Sequence, residues 1–380
     1  MSDQQSPTKT ISDFEAKLAE ADKNVASFDN SQLGFIGRLR GFLRDYPTSI
    51  PALILLGSVL MFSLNALFIS PNNFVSTNAL STILAQVTVT GIVAIAQTII
   101  ILTAGIDLSV GAILVVSSMI MGKFAVESGI PVIVAVPFGM LVATAMGWIN
   151  GALVTYVKIP PFIVTLGTLN VFNALKLWYT GSQSIRAMDL EEKTPALLWF
   201  GKNITFGFNG GFHMGFDTPP GDGDVSIILG TIALLVLAAI VWFMLYRTPW
   251  GRHVHAMGDD PDAAMLTGIQ TNRTLVSVYA VAGLIIGFGA WVSIGRVGSV
   301  SPIAFETVNL DSITAVVIGG TSLFGGRGSI AGSVLGALIV GVFTTGLAIA
   351  GVDDYWQYFA AGCLVIFAVA LDQWLRRASQ

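Results

Sequence analysis

Long apolar runs recur along this chain at about the spacing of membrane spans, and they constrain its fold more than any other feature. A span needs about 20 apolar residues to cross a bilayer's hydrocarbon core. Such runs lie at roughly 50–70, 78–104, 108–126, 131–157, 161–180, 225–246, 273–295, 310–323, 329–351 and 355–375. Backbone N–H and C=O groups find no water in lipid, so each run must bond internally as a helix. The expected fold is therefore an all-α polytopic membrane protein of about ten transmembrane or re-entrant helices. The balance of side chains agrees, with 53% hydrophobic and only 11% charged residues, against about 25% charged in soluble domains. The second and eighth runs end in glycine-rich turns, Ala104-Gly105-Ile106-Asp107 and Gly319-Gly320 to Gly325-Gly326. Both are open to being broken or re-entrant, which requires a covering of protein or water. The single cysteine, Cys363, lies in an apolar run and reads as a small hydrophobe.

Residues 1–47 form a polar leader without the early apolar core of a cleavable signal. Ser12-Asp13-Phe14-Glu15 has the form of a capping box. Leu33 to Tyr46 groups Phe35, Ile36, Leu39, Phe42 and Leu43 on one face among arginines, the pattern of an interfacial amphipathic helix anchored to lipid. A membrane domain is expected over 48–378. Basic residues set its orientation. Arg38, Arg40 and Arg44, then Arg247, Arg252 and Arg273, then Arg376 and Arg377 fall on one side if the spans are even in number. That side is read as the cytoplasm, with both termini there. The segment 181–224 then faces outward. Within it, Ile204–Phe208 and Phe212–Phe216 flank an Asn209-Gly210 turn and predict a small β-hairpin.

The cytoplasmic loop 247–272 carries a short helix signal. Asp260 is a good N-cap, Pro261 suits the first helical position, and Gly268 suits a left-handed stop. A capped helix in such a loop reads as a lever for something outside the bilayer. Asp107 is either the cap of the third span or a functional carboxylate in a membrane segment. The in-span polar groups Asn65, Gln86, Gln97, Thr98, Asn150, Thr165, Asn170 and Asn173 either join helices or meet an uncharged, hydroxylated substrate. The Gly319–Ser329 stretch lacks the Gly-Lys-Ser/Thr of a phosphate loop. His253 and His255 have no partners at metal-ligand spacing, so no metal and no cofactor are expected. No catalytic constellation is visible, so the functional residues are not those of a recognisable enzyme.

Three segments together carry a resemblance: Thr98–Gly111, Ala256–Ile269 and Ala315–Gly328. In that order they are similar to the membrane permeases of ATP-binding-cassette importers for monosaccharides such as ribose, xylose, arabinose, galactose and fructose. The resemblance implies a homodimer in the bacterial inner membrane, a cytoplasmic ATP-binding subunit on another polypeptide and a periplasmic sugar-binding protein, with lipid contacts and no nucleic acid. It implies that Gly258, Asp260, Pro261, Ala263, Ala264, Leu266 and Gly268 form the helix that couples to the ATPase. Asn65, Gln97, Asp107, Asn150, Asn170 and Asn173 are the pathway candidates. The leader before Arg38 and the segment 181–224 are atypical of the pattern. The alternatives are an ion-coupled secondary transporter, for which Asp107, Lys176 and Asp311 are the few ionisable groups available, or a related permease for another small solute.

Overall fold

A computed structural model describes residues 48–69, 73–207, 213–217, 221 and 223–379. The capping box at Ser12 and the amphipathic stretch Leu33–Tyr46 lie outside the described residues, as does the Asn209-Gly210 turn.

A helix begins at or near each apolar run. They are α1 (Ser49–Leu64, continued by a π-helical turn Asn65–Ile69), α2 (Thr77–Leu102) and α3 (Val110–Gly122, continued by a π-helical turn Lys123–Glu127). Next come α4 (Val132–Tyr156) and α5 (Pro161–Thr180), then a short α6 (Ala187–Lys193) and a 3-10 turn at Pro195–Gly201. After three strands follow α7 (Leu229–Arg247), α8 (Pro249–Asp259), α9 (Pro261–Leu266), α10 (Thr271–Val297), α11 (Val308–Ile318), α12 (Ile330–Ile349) and α13 (Asp354–Ser379). Local chemistry explains several boundaries. Ser76 and Ser329 accept the N–H of Ala79 and Gly332 as N-caps of α2 and α12. Gly181 and Gly298, at φ +58° and +69°, end α5 and α10 in the left-handed region.

Among the described residues, seven helical segments are long and apolar enough to cross a membrane: Ser49–Phe68, Thr77–Leu102, Val110–Glu127, Val132–Tyr156, Leu229–Arg247, Thr271–Val297 and Ile330–Ile349. This is a multi-pass, all-α membrane architecture. Helix α2 is complete over 26 residues, whereas the eighth run yields only the 11 residues of α11. At 1.5 Å per residue, a helix of that length covers about half of the ~30 Å hydrocarbon core. Gly319-Gly320 stops it, with Gly320 at φ +86°.

The centre of the bundle is α2 and α10. From Val89 to Leu102 the apolar side chains of α2 are all but sealed from solvent. Helix α10 packs on α4 through glycines of both: Gly283 and Gly287 lie against Ala143 and Met140, and Gly147 and Gly151 against Tyr279 and Val276; a Cβ on Gly147 would lie 2.3 Å from the Tyr279 carbonyl oxygen. Small residues four apart let helices approach this closely where no hydrophobic effect between them is available. Outward faces stay apolar, as with Leu53, Leu56, Leu60 and Leu64 of α1 and Phe162, Ile163 and Leu166 of α5.

Two expectations change. The predicted hairpin is a three-stranded sheet, β1 (Asn203–Gly207), β2 (His213–Phe216) and β3 (Val225–Ile228), in the order β2-β1-β3. Its registers pair Ile204 with Phe216 and Asn203 with Ile228, both antiparallel. The sixth span therefore starts at Leu229 and not at 225, because β1 satisfies the backbone of Val225–Ile228. The second change is α8, inside what reads as a polar loop. Thr248 caps it, its hydroxyl accepting the Gly251 N–H at 3.3 Å, and Val254 and Met257 are buried on one face.

Candidate functional site

The three segments that carried the resemblance meet in space. Helix α2 ends at Leu102, whose carbonyl accepts the Gly326 N–H at 3.0 Å. His255 Nδ1 lies 3.2 Å from the Gly326 carbonyl oxygen. Gly258, near the end of α8, is pressed into this seam. A Cβ there would stand 1.7 Å from the Leu102 carbonyl oxygen and 2.7 Å from the Gly326 nitrogen. Gly258 is thus part of a buried contact, outside the short rod that follows it.

The rod is α9, with one turn of cap chemistry at each end. Asp260 Oδ1 accepts the N–H groups of Asp262 and Ala263, each at 3.0 Å. Gly268 lies at φ +90°, past the helix end. Pro261 and Ala263 are exposed, and Leu266 is 86% exposed. Ala264 is only 4% exposed and faces its own chain. Leu266 is thus an open apolar side chain on a capped helix that follows closely on the seam residue Gly258.

Beyond Leu102 the chain turns through Gly105-Ile106 to Asp107, which is 1% exposed. Its Oδ1 accepts both the N–H (2.7 Å) and the hydroxyl (2.6 Å) of Ser109. Asn150 of α4 donates through Nδ2 to Ser109 Oγ (2.8 Å) and to Asp107 Oδ2 (3.3 Å). Gln97 of α2 is matched to the same turn when its amide accepts from the Asp107 N–H (3.2 Å) and donates to the Asp107 carbonyl (3.3 Å). Thr165 of α5 donates to the Ile106 carbonyl at 3.0 Å. A buried carboxylate survives in low dielectric only with partners like these. Asp107 holds the turn in place and does not cap the first-turn amides of α3. Asn150 Oδ1 and the Tyr279 hydroxyl are buried beside it without a protein partner among the described residues.

Residues 79–369 match the family described as "Branched-chain amino acid transport system / permease component". The chain is 44% identical to the fructose import permease protein FrcC of Rhizobium meliloti, over 97% of this chain and 96% of that protein. It is 36% identical to the ribose import permease protein RbsC of Bacillus subtilis, over 83% and 89% of the two chains. It is 34% identical to the D-allose transport system permease protein AlsC of Escherichia coli, over 80% and 86%. The chain belongs to the permease family of sugar-importing ATP-binding-cassette transporters. No solved structure gives a significant match.

In this permease the pathway candidates separate into two groups. Gln97, Asp107 and Asn150 come together, and the sequence hid their link because Ser109 and Thr165 complete it. Asn65, Asn170 and Asn173 do not join them. Asn65 sits on the π-helical end of α1 with a buried, unpartnered Oδ1. Asn170 is exposed and donates back to Leu166 of its own helix at 3.0 Å, and Asn173 is half-buried on the same helix. Among the described residues no group of three or more His, Cys, Asp or Glu side chains is arranged to hold a metal.

Proposed function

We propose that this permease carries a monosaccharide inward across the bacterial inner membrane, fructose first among the candidates. The leading support for fructose is the likeness to the Rhizobium meliloti fructose permease over nearly the whole chain. Hydrolysis of ATP belongs to a separate cytoplasmic subunit, consistent with the missing phosphate loop. Two copies of the permease assemble in the lipid with that subunit, and a periplasmic sugar-binding protein delivers the cargo. Both termini and the loop 247–272 face the cytoplasm. The leader 1–47 precedes the transport domain 48–378, and the segment 181–224, with its sheet, faces the binding protein.

The observation that carries the mechanism is the backbone contact of Gly258 with Leu102 and Gly326. Force on the exposed Leu266 passes along α9 and α8 into the end of α2, and from there into the turn held by Asp107, Gln97 and Asn150. Pro261, Ala263 and Gly268 shape the rod, and Ala264 seats it on its own chain. Transport then requires two packings of the bundle, whose balance ATP and the loaded binding protein both bias. The test is uptake of radiolabelled D-fructose and D-ribose into liposomes holding permease, ATPase and binding protein. Uptake that needs ATP and survives a protonophore supports the reading. Uptake by the permease alone, driven by a Na⁺ or proton gradient, would overturn it and revive a secondary transporter built on Asp107.

A further inference from the structure

Among the described residues, two pockets of similar size open on the bundle, and their walls differ in kind. One, of about 630 Å³, is walled by Met140, Trp199, Leu237, Val241, Leu284 and Phe288, and suits lipid tails. The other, of about 550 Å³, lies where α10 ends and α11 begins, facing α2. Its walls include Gln86, Thr90, Arg296, Phe305, Glu306 and Asp311. It belongs to the end of the molecule that carries the segment 181–224, because Ile185 and Val300 exchange backbone hydrogen bonds of 2.8 and 3.1 Å beside it.

Charged groups in a membrane bundle are expensive and are retained where they do something. Arg296 donates to Gln86 Oε1 through Nη2, and its guanidinium stands 5.9 Å from the centre of the Phe305 ring. Among the described residues no ion pair joins Arg296 to Glu306 or Asp311 across the space. Phe305 itself is held at φ +57°, an unusual conformation for a bulky residue and one that clusters at ligand sites. Asp311 accepts the Thr307 hydroxyl at 3.0 Å. Thr307, Asp311 and Thr314 follow one another at i, i+4 and i+7, so they line one face of α11. A further, narrow space shares Asp311 and continues past Thr314, Thr344 and Gln357. The polar face thus leads onward into the bundle.

We propose that this cavity is a transit subsite for a single neutral sugar, held by Arg296, Gln86 and Asp311 through its hydroxyls. The inference rests on the sugar-permease reading and adds a site to it. Vicinal hydroxyls both donate and accept, and the planar guanidinium, amide and carboxylate offer complementary pairs of atoms. Phe305 and Tyr358 add aromatic wall beside them, the combination of apolar lining and few convergent polar groups that small-molecule sites use. One cation set against two carboxylates does not favour an anionic cargo.

The experiment uses permease bound to its ATPase in liposomes, without binding protein, so that docking cannot shield the cavity. In a Cys363→Ser background, Thr307→Cys is labelled with a membrane-impermeant thiol reagent while D-fructose or D-ribose is titrated in. One of the two sugars should slow labelling about tenfold once its free concentration is ten times its dissociation constant. Adding Asp311→Asn should shift that protection to higher sugar concentration. Ile303→Cys, another lining position, gives the same readout should Thr307→Cys fail to fold. Labelling indifferent to both sugars, while the unsubstituted complete transporter imports one of them, would overturn the subsite alone. Import of neither sugar by that complete transporter would remove the function reading and the subsite with it.

Discussion

Replacing Gly258 with alanine tests the seam beneath the rod with one methyl group. The new Cβ would fall 1.7 Å from the Leu102 carbonyl oxygen and 2.7 Å from the Gly326 nitrogen. Both are backbone atoms, and they are hydrogen-bonded to each other at 3.0 Å, so neither can turn aside as a side chain would. Overpacking of a tight core costs about 1–3 kcal/mol. Parting the buried N–H from its carbonyl adds about 1–3 kcal/mol. The expected loss for Gly258→Ala is therefore about 2–6 kcal/mol, read as a lower thermal midpoint of the detergent-solubilised permease. Gly57→Ala is the control, since a Cβ there meets nothing within 4 Å. Within α1 the same change should gain up to about 1 kcal/mol from helix propensity. Equal midpoints for Gly258→Ala and the native chain would refute the close contact, and with it the path from rod to α2.

Two further outcomes follow from the geometry. Asn150→Ala leaves Asp107 Oδ2 and Ser109 Oγ without their shared donor, so it should cost about 1–3 kcal/mol in the same thermal assay, whereas Asn170→Ala, exposed and bonded only to its own helix, should stay within about 0.5 kcal/mol. Asp260→Ala removes the acceptor of two amides and should weaken α9 by about 1 kcal/mol, seen as faster hydrogen exchange over residues 261–266 with α10 unchanged.

What the sequence made legible was local. Asp260-Pro261 announced a helix start because a cap bonds amides two and three residues away, and the structure has those bonds. The apolar runs located the long helices because their length alone forces internal bonding. What stayed hidden depends on distant partners. Val225–Ile228 is as apolar as the span it precedes, and only pairing with β1 makes it a strand. Helix α8 was concealed by arginine and histidine on its open face, although Thr248-Pro249 and the buried pair Val254 and Met257 announced it. Gln97, Asp107 and Asn150 stood out as polar residues in apolar surroundings. Nothing within reach of each one told them apart from Asn170, since their partnership spans α2, α4 and the turn between α2 and α3. Arg296 lies just past the run 273–295, and only the fold shows that it bonds Gln86 of α2.

The central claim is that α9 is the surface on which an ATP-hydrolysing subunit pushes. The most direct measurement places a photo-crosslinking amino acid at Leu266, the most open side chain of the rod at 86% exposure, in cells expressing the whole transporter. The expected result is an adduct between permease and ATPase, and no labelling of a Leu266→Cys variant by an impermeant thiol reagent added outside the cells. An adduct with the sugar-binding protein instead, or ready labelling from outside, would contradict it.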